Sequence, residues 1–137
     1  MRAHVLRSLV LSLVVLGTLG RSEGQDPFTK RDQQGPVTVV VTLIPPATPG
    51  APLKAKIVLD THSVGLDGIA FERAVVMRTG GTDVSPTAVE QATGGGHHRN
   101  AVLVFPPPAQ PGPVQIVVKD VGGVAERSFS WELPPPR

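Results

Sequence analysis

The chain has 137 residues, with 13 basic and 11 acidic side chains and no cysteine. No disulfide can form, so stability rests on buried apolar surface. The basic surplus lies at the start: residues 1–24 carry Arg2, Arg7, Arg21 and Glu23, and without them ten basic and ten acidic groups remain, a neutral balance that argues against a nucleic-acid partner.

Residues 1–24 read as an export signal. Arg2, His4 and Arg7 form a positive start, and Leu9 to Leu19 is an apolar run broken by Ser12, Gly17 and Thr18. Spanning a bilayer takes about 20 apolar residues, more than this run offers. Cleavage after Gly20 or Gly24 satisfies the small-x-small rule, and Gly24 is the preferred site. The expectation is an exported chain, periplasmic or extracellular, with no transmembrane segment once the signal is removed. About 113 residues then remain, enough for one domain with a modest core.

Residues 25–35, Q-D-P-F-T-K-R-D-Q-Q-G, are polar and aperiodic and read as a disordered leader. The domain proper is expected over residues 36–133, with a proline-rich tail at 134–137. Val37 to Ile44 is a β-branched run stopped by Pro45-Pro46, since proline offers no N–H to a ladder. From Leu53 to His62 the chain alternates, placing Leu53, Ala55, Ile57, Leu59 and Thr61 on the core face and Lys54, Lys56, Val58, Asp60 and His62 on the other. Phe71 to Met77 is a third run, followed by the turn T-G-G-T-D. Thr87 to Ala92 is a fourth, although Ser85-Pro86 could equally open a helical turn. Ala101 to Phe105 is closed by three prolines. Val114 to Asp120 and Ala125 to Leu133 flank Gly122-Gly123, which suits a two-residue hairpin turn. In the last run Arg127, Phe129, Trp131 and Leu133 share one face, with Phe129 and Trp131 expected inside. Seven short runs at this spacing predict an all-β fold, an immunoglobulin-like antiparallel β-sandwich of about seven strands, with an open barrel as the competing architecture.

The chemistry concentrates in two stretches. His62 closes the second run within L-D-T-H-S-V-G-L-D, and His97-His98 open the fifth behind Gly94-Gly95-Gly96. Asp60 and His62, two apart on a strand, leave the same face about 6.5 to 7 Å apart. A glycine bend frees His97 and His98 from strict alternation. If the two strand ends share a rim, Asp60, His62, His97 and His98 form a candidate divalent-metal site. Imidazole and carboxylate suit Cu(II) or Zn(II), with Asp60 as ligand or as the acceptor that orients His62. No organic cofactor is implied. Two other readings compete: a structural or protein-interaction module in which the His/Asp/Arg cluster only locks loops together, and an anion nest built from the glycine N–H groups and Arg99. Asp60, His62 and Ser63 sit too close on one strand for hydrolytic triad geometry, so no enzyme is expected.

The same two stretches, with G-G-G-H-H-R-N-A-V-L-V-F completing the second, resemble a family of uncharacterised exported or membrane-anchored bacterial proteins. That family carries a D/N-T-H-S-V-x-L motif and, thirty to forty residues on, a G-G-H-H-R-S-G-x-L-x-F motif. The likeness covers residues 53–105 and implies that Thr61, His62, Ser63, Gly95, Gly96, His97, His98 and Arg99 belong to one unit. Asn100-Ala101 stand here where the family tends to have Ser-Gly.

Overall fold

The computed structural model describes residues 26–109 and 112–133. The expected export signal and proline tail lie outside that range. Among the described residues, nine strands form two antiparallel sheets. β1 (Thr29–Asp32), β2 (Val37–Ile44), β3 (Leu53–Thr61), β6 (Ala88–Gly95) and β7 (His98–Phe105) make a five-stranded sheet in the order β1-β2-β3-β7-β6. β4 (Val75–Thr79), β5 (Thr82–Val84), β8 (Pro113–Val121) and β9 (Val124–Glu132) make a four-stranded sheet in the order β5-β4-β8-β9. Neither sheet closes on itself, so the architecture is a sandwich and not a barrel.

Alternation builds the core. The inward set of β3 is buried at every position, and Val37, Val39, Val41 and Leu43 of β2 face it from the same sheet. Ala101, Leu103 and Phe105 of β7 continue that layer, and Val114, Ile116, Val118, Phe129 and Trp131 oppose it from the second sheet. With few aromatic residues available, Val, Ile and Leu supply most of the interior, and the β-branched ones favour extended backbone.

Three departures from the sequence reading have physical causes. The segment 25–35 is not a disordered leader over its described length, because Thr29–Asp32 pair with Val39–Thr42 as β1. That strand carries no apolar stripe of its own and is held by groups far along the chain. Phe71–Ala74 is one helical turn, α1, and the strand starts only at Val75. F-E-R-A has no β-branched residue, and a turn there lets Phe71 reach the core while the chain crosses between sheets. β5 is the third: the turn T-G-G-T-D is a hairpin, with Gly80 and Gly81 both at positive φ as a two-residue I′ turn requires.

One end of the sandwich gathers the loop after Asp32, the end of β3, the crossover 62–74, and the β6–β7 and β8–β9 hairpins. It contains both chemistry-bearing stretches.

Candidate functional site

β3 and β7 are adjacent antiparallel strands, and their register sets Asp60 opposite His98. The folded chain therefore brings D-T-H and G-G-G-H-H-R together at one rim. Thr61 N–H donates to the His97 carbonyl at 3.0 Å, extending the β3–β7 ladder one step past the strand ends. The Thr61 hydroxyl turns inward, donates to the Pro36 carbonyl at 2.8 Å and accepts from Ser63 N–H at 3.3 Å.

The glycines let the β6–β7 hairpin fold tightly. Gly96 has φ 61° at the first position of the two-residue turn Gly96-His97, as a II′ geometry requires. Gly94 has φ 87°, and a Cβ there would sit far inside van der Waals contact with the His98 carbonyl oxygen. Earlier in β6, Gln91 at φ 50° marks a bulge between Glu90 and Thr93.

The crossover loop docks onto this hairpin. Leu66 N–H donates to the Gly96 carbonyl at 2.8 Å, and Gly96 N–H donates to the Asp67 carboxylate at 2.9 Å. Arg99 Nη1 donates to the Leu66 carbonyl at 2.9 Å and also to that of Ile69. Its guanidinium carbon lies 4.8 Å from the centre of the buried Phe71 ring, in cation–π range. Leu66 inserts into the core beneath. Arg99 is thus a clamp on both ends of a loop turn. The position of the basic residue after the paired histidines was legible in the sequence; its two carbonyl partners and Phe71 were not.

The four sequence-predicted site residues divide. Asp60 and His98 meet side chain to side chain through Oδ1 and Nδ1, the imidazole donating and the carboxylate accepting, both about half exposed. Asp60 therefore orients His98, where the alternation along β3 had pointed to His62. His62 and His97 are exposed on the bend after β3 and at the hairpin turn. Among the described residues, no group of three or more His, Cys, Asp or Glu side chains is arranged to hold a metal ion. Zinc would need a third protein donor beyond the Asp60–His98 pair. Two donors of the anion reading are committed elsewhere, Gly96 N–H to Asp67 and Arg99 Nη1 to two carbonyls.

Charge elsewhere is organised on the outer face of the second sheet. Arg78 bonds Asp83 at 2.6 Å and Glu126 at 3.1 Å, and Lys119 bonds Asp83 at 2.8 Å. Hydrogen bonds from Arg78, and then from Lys119, hold the Asp83 carboxyl well below the usual range; the same Arg78 lowers Glu126. No helix among the described residues is long and apolar enough to cross a membrane. Compared with known proteins, the chain matches no protein-family model, no curated protein and no solved structure.

Proposed function

We propose that the chain is an exported β-sandwich that acts as a protein-interaction module and not as an enzyme, and that its D-T-H and G-G-G-H-H-R stretches form a lock that keeps the loop end rigid. One observation carries this reading: Arg99, Asp67 and Thr61 spend their side chains on backbone groups that tie the loop end together. Arg99 holds the Leu66 and Ile69 carbonyls, Asp67 holds Gly96 N–H, and Thr61 holds the Pro36 carbonyl.

The test is thermal unfolding in a chelating buffer. Arg99→Ala removes two charge-assisted hydrogen bonds and a cation–π contact, and the expected loss is about 2 kcal/mol. Arg99→Lys should recover only part of it, because one ammonium cannot reproduce the planar fork. A wild-type midpoint unmoved by either change would remove the lock.

A second reading is favoured by the Asp60–His98 contact, with His62 and His97 exposed at the same rim. There Cu(II) or Zn(II) would be held by His62, His97 and His98, with Asp60 as a ligand or as the acceptor orienting an imidazole. It requires the three rings to converge. A stoichiometric, metal-dependent rise in melting temperature that His98→Ala abolishes would establish it in place of the lock.

A further inference from the structure

The outward faces of the two sheets are roofed unequally. On the four-stranded sheet, Arg78 of β4 reaches Glu126 of β9 at 3.1 Å, so the pair crosses β8, whose outward Val117 is fully buried. Lys119 of β8 reaches Asp83 of β5 at 2.8 Å and crosses β4, whose outward Val76 is also buried. On the five-stranded sheet, Lys54 of β3 meets Glu90 of β6 at 3.0 Å across β7, where the outward Val104 is buried in turn. Each pair joins strands two apart, and its aliphatic stems cover the apolar surface of the strand between.

β2 and β3 carry outward valines that no such pair covers. Val40 and Val58 are cross-strand neighbours, and both stay partly exposed. Arg31 stands opposite Val40 on β1, and Lys56 lies two residues before Val58 on β3; both share the outward face and are exposed. The ends of a roof over β2 are therefore in place, but both are cations. The two carboxylates of this face, Asp60 and Glu90, are held by His98 and Lys54. Among the described residues neither Arg31 nor Lys56 has a carboxylate within ion-pair distance, and Arg31 meets the neutral side-chain amide of Gln33 instead.

We propose that this half of the outer face, over β1, β2 and β3, docks an acidic segment of a partner protein, whose carboxylates meet Arg31 and Lys56 while an apolar side chain between them covers Val40 and Val58. Charge complementarity selects the occupant. Two strand spacings and one step along a strand separate the Arg31 and Lys56 backbones by about 12 Å. An extended segment Glu-x-Val-x-Glu sets its two carboxylate-bearing residues about 13–14 Å apart with the valine on the same face. Two cations are few for a nucleic acid or an anionic membrane, whose binding grows with each Lys or Arg at the surface. Exposed ion pairs contribute little each, so the contact belongs to the weak, transient class. The proposal rests on the interaction-module reading and uses no residue of the loop lock, so the two can fail separately.

The test is an NMR titration of the full chain with the end-capped peptide Gly-Glu-Ser-Val-Ser-Glu-Gly, against its counterpart Gly-Lys-Ser-Val-Ser-Lys-Gly. The Glu peptide should shift the methyl signals of Val40 and Val58 at concentrations up to about 1 mM, the range of weak contacts. It should bind at least tenfold more tightly than the Lys peptide. Arg31→Glu supplies the missing carboxylate from within the chain, facing Lys56 across β2, and should weaken binding of the Glu peptide at least tenfold. Lys56→Gln should weaken it as well, and serves alone if Arg31→Glu fails to fold. Absence of shifts at Val40 and Val58, equal binding of the two peptides, or indifference to the variants that fold overturns the proposal. An equal response of the same methyls to phosphatidylserine vesicles would assign the cations to an anionic surface, and self-association that shifts them without peptide would assign the face to a second copy; either result overturns the partner reading. Failure of the peptide to bind, beside a melting midpoint that Arg99→Ala still lowers, would remove this surface and leave the lock standing.

Discussion

Two arginines do opposite kinds of work in this protein, and burial separates them. Arg99 is partly exposed and spends its fork on loop carbonyls. Arg127 is fully enclosed, with the Val37 and Val121 carbonyls at 2.9 and 3.0 Å and Asp32 as its only ion pair among the described residues. Its place in β9 was legible from alternation, since 127, 129 and 131 share a face and all three are buried. What alternation could not supply was a reason to bury a charge, because the answering carboxylate lies 95 residues earlier in a polar stretch. Asp32→Asn leaves the guanidinium buried beside neutral acceptors, and the expected cost is about 3 kcal/mol, the lower end for a broken buried pair. Urea unfolding at neutral pH measures it. A loss under about 1 kcal/mol, the scale of an exposed pair, would mean that solvent already reaches Arg127.

At the scale of elements, the strands that bury their own alternating apolar set were readable, and those stabilised from elsewhere were not. β2 runs over Val37–Ile44 as the sequence indicated, and β3 ends one residue short of His62. β1 and β5 escaped notice because T-K-R-D and T-D-V contain one apolar residue between them; their partners, β2 and β4, decide their conformation. The two-residue turns were legible from glycine pairs at Gly122-Gly123, and the same chemistry sets the β6–β7 hairpin. The rim was legible only as a conditional: the sequence offered two motif stretches, and adjacency of β3 and β7 joined them. Side-chain direction at a bend lies beyond any periodicity, so the pairing of Asp60 with His98 instead of His62 needed coordinates. Two glycines of that hairpin should respond differently to alanine. Both have positive φ, but the Cβ at Gly96 meets open space while that at Gly94 strikes the His98 carbonyl. Gly96→Ala should cost about 1 kcal/mol from backbone conformation alone, and Gly94→Ala distinctly more, of the order of 2–3 kcal/mol with the steric strain added. Denaturant midpoints give the order directly, and a reversed order would contradict this turn geometry.

Among the described residues, three carboxylates that folding lowers tie separate parts of the chain together, and their titration should dominate stability in acid. Asp32 joins β1 to β9, while Asp83 and Glu126 meet at Arg78 on the outer face of the second sheet. Burial pushes Asp32 upward, but hydrogen bonds from the Gln34 side chain and backbone, and the pairing with Arg127, outweigh it and leave the carboxyl below its ordinary value of 3.8. Asp83 and Glu126 are lowered from ordinary values of 3.8 and 4.5 by their hydrogen bonds to Arg78. A carboxyl lowered by folding binds fewer protons in the native state than in the unfolded one, so stability falls as pH falls. The contribution is complete above the unfolded values, hence flat above about pH 5, and it drains away below that as each native carboxylate is protonated in turn. Exposure separates the three: the Asp83 and Glu126 side chains are 32% and 46% accessible, and Asp32 is 20%. Salt at about 1 M shortens the screening length to roughly 3 Å, which should erase much of the surface network's share and little of the Asp32 share. Urea midpoints between pH 2 and 6 at low and high salt should therefore show an acid loss that salt reduces but does not abolish. In Asp32→Asn the residual high-salt loss should vanish. If it persists unchanged there, the acid sensitivity belongs to other carboxylates, and the β1–β9 contact is not the pH-dependent seam of the sandwich.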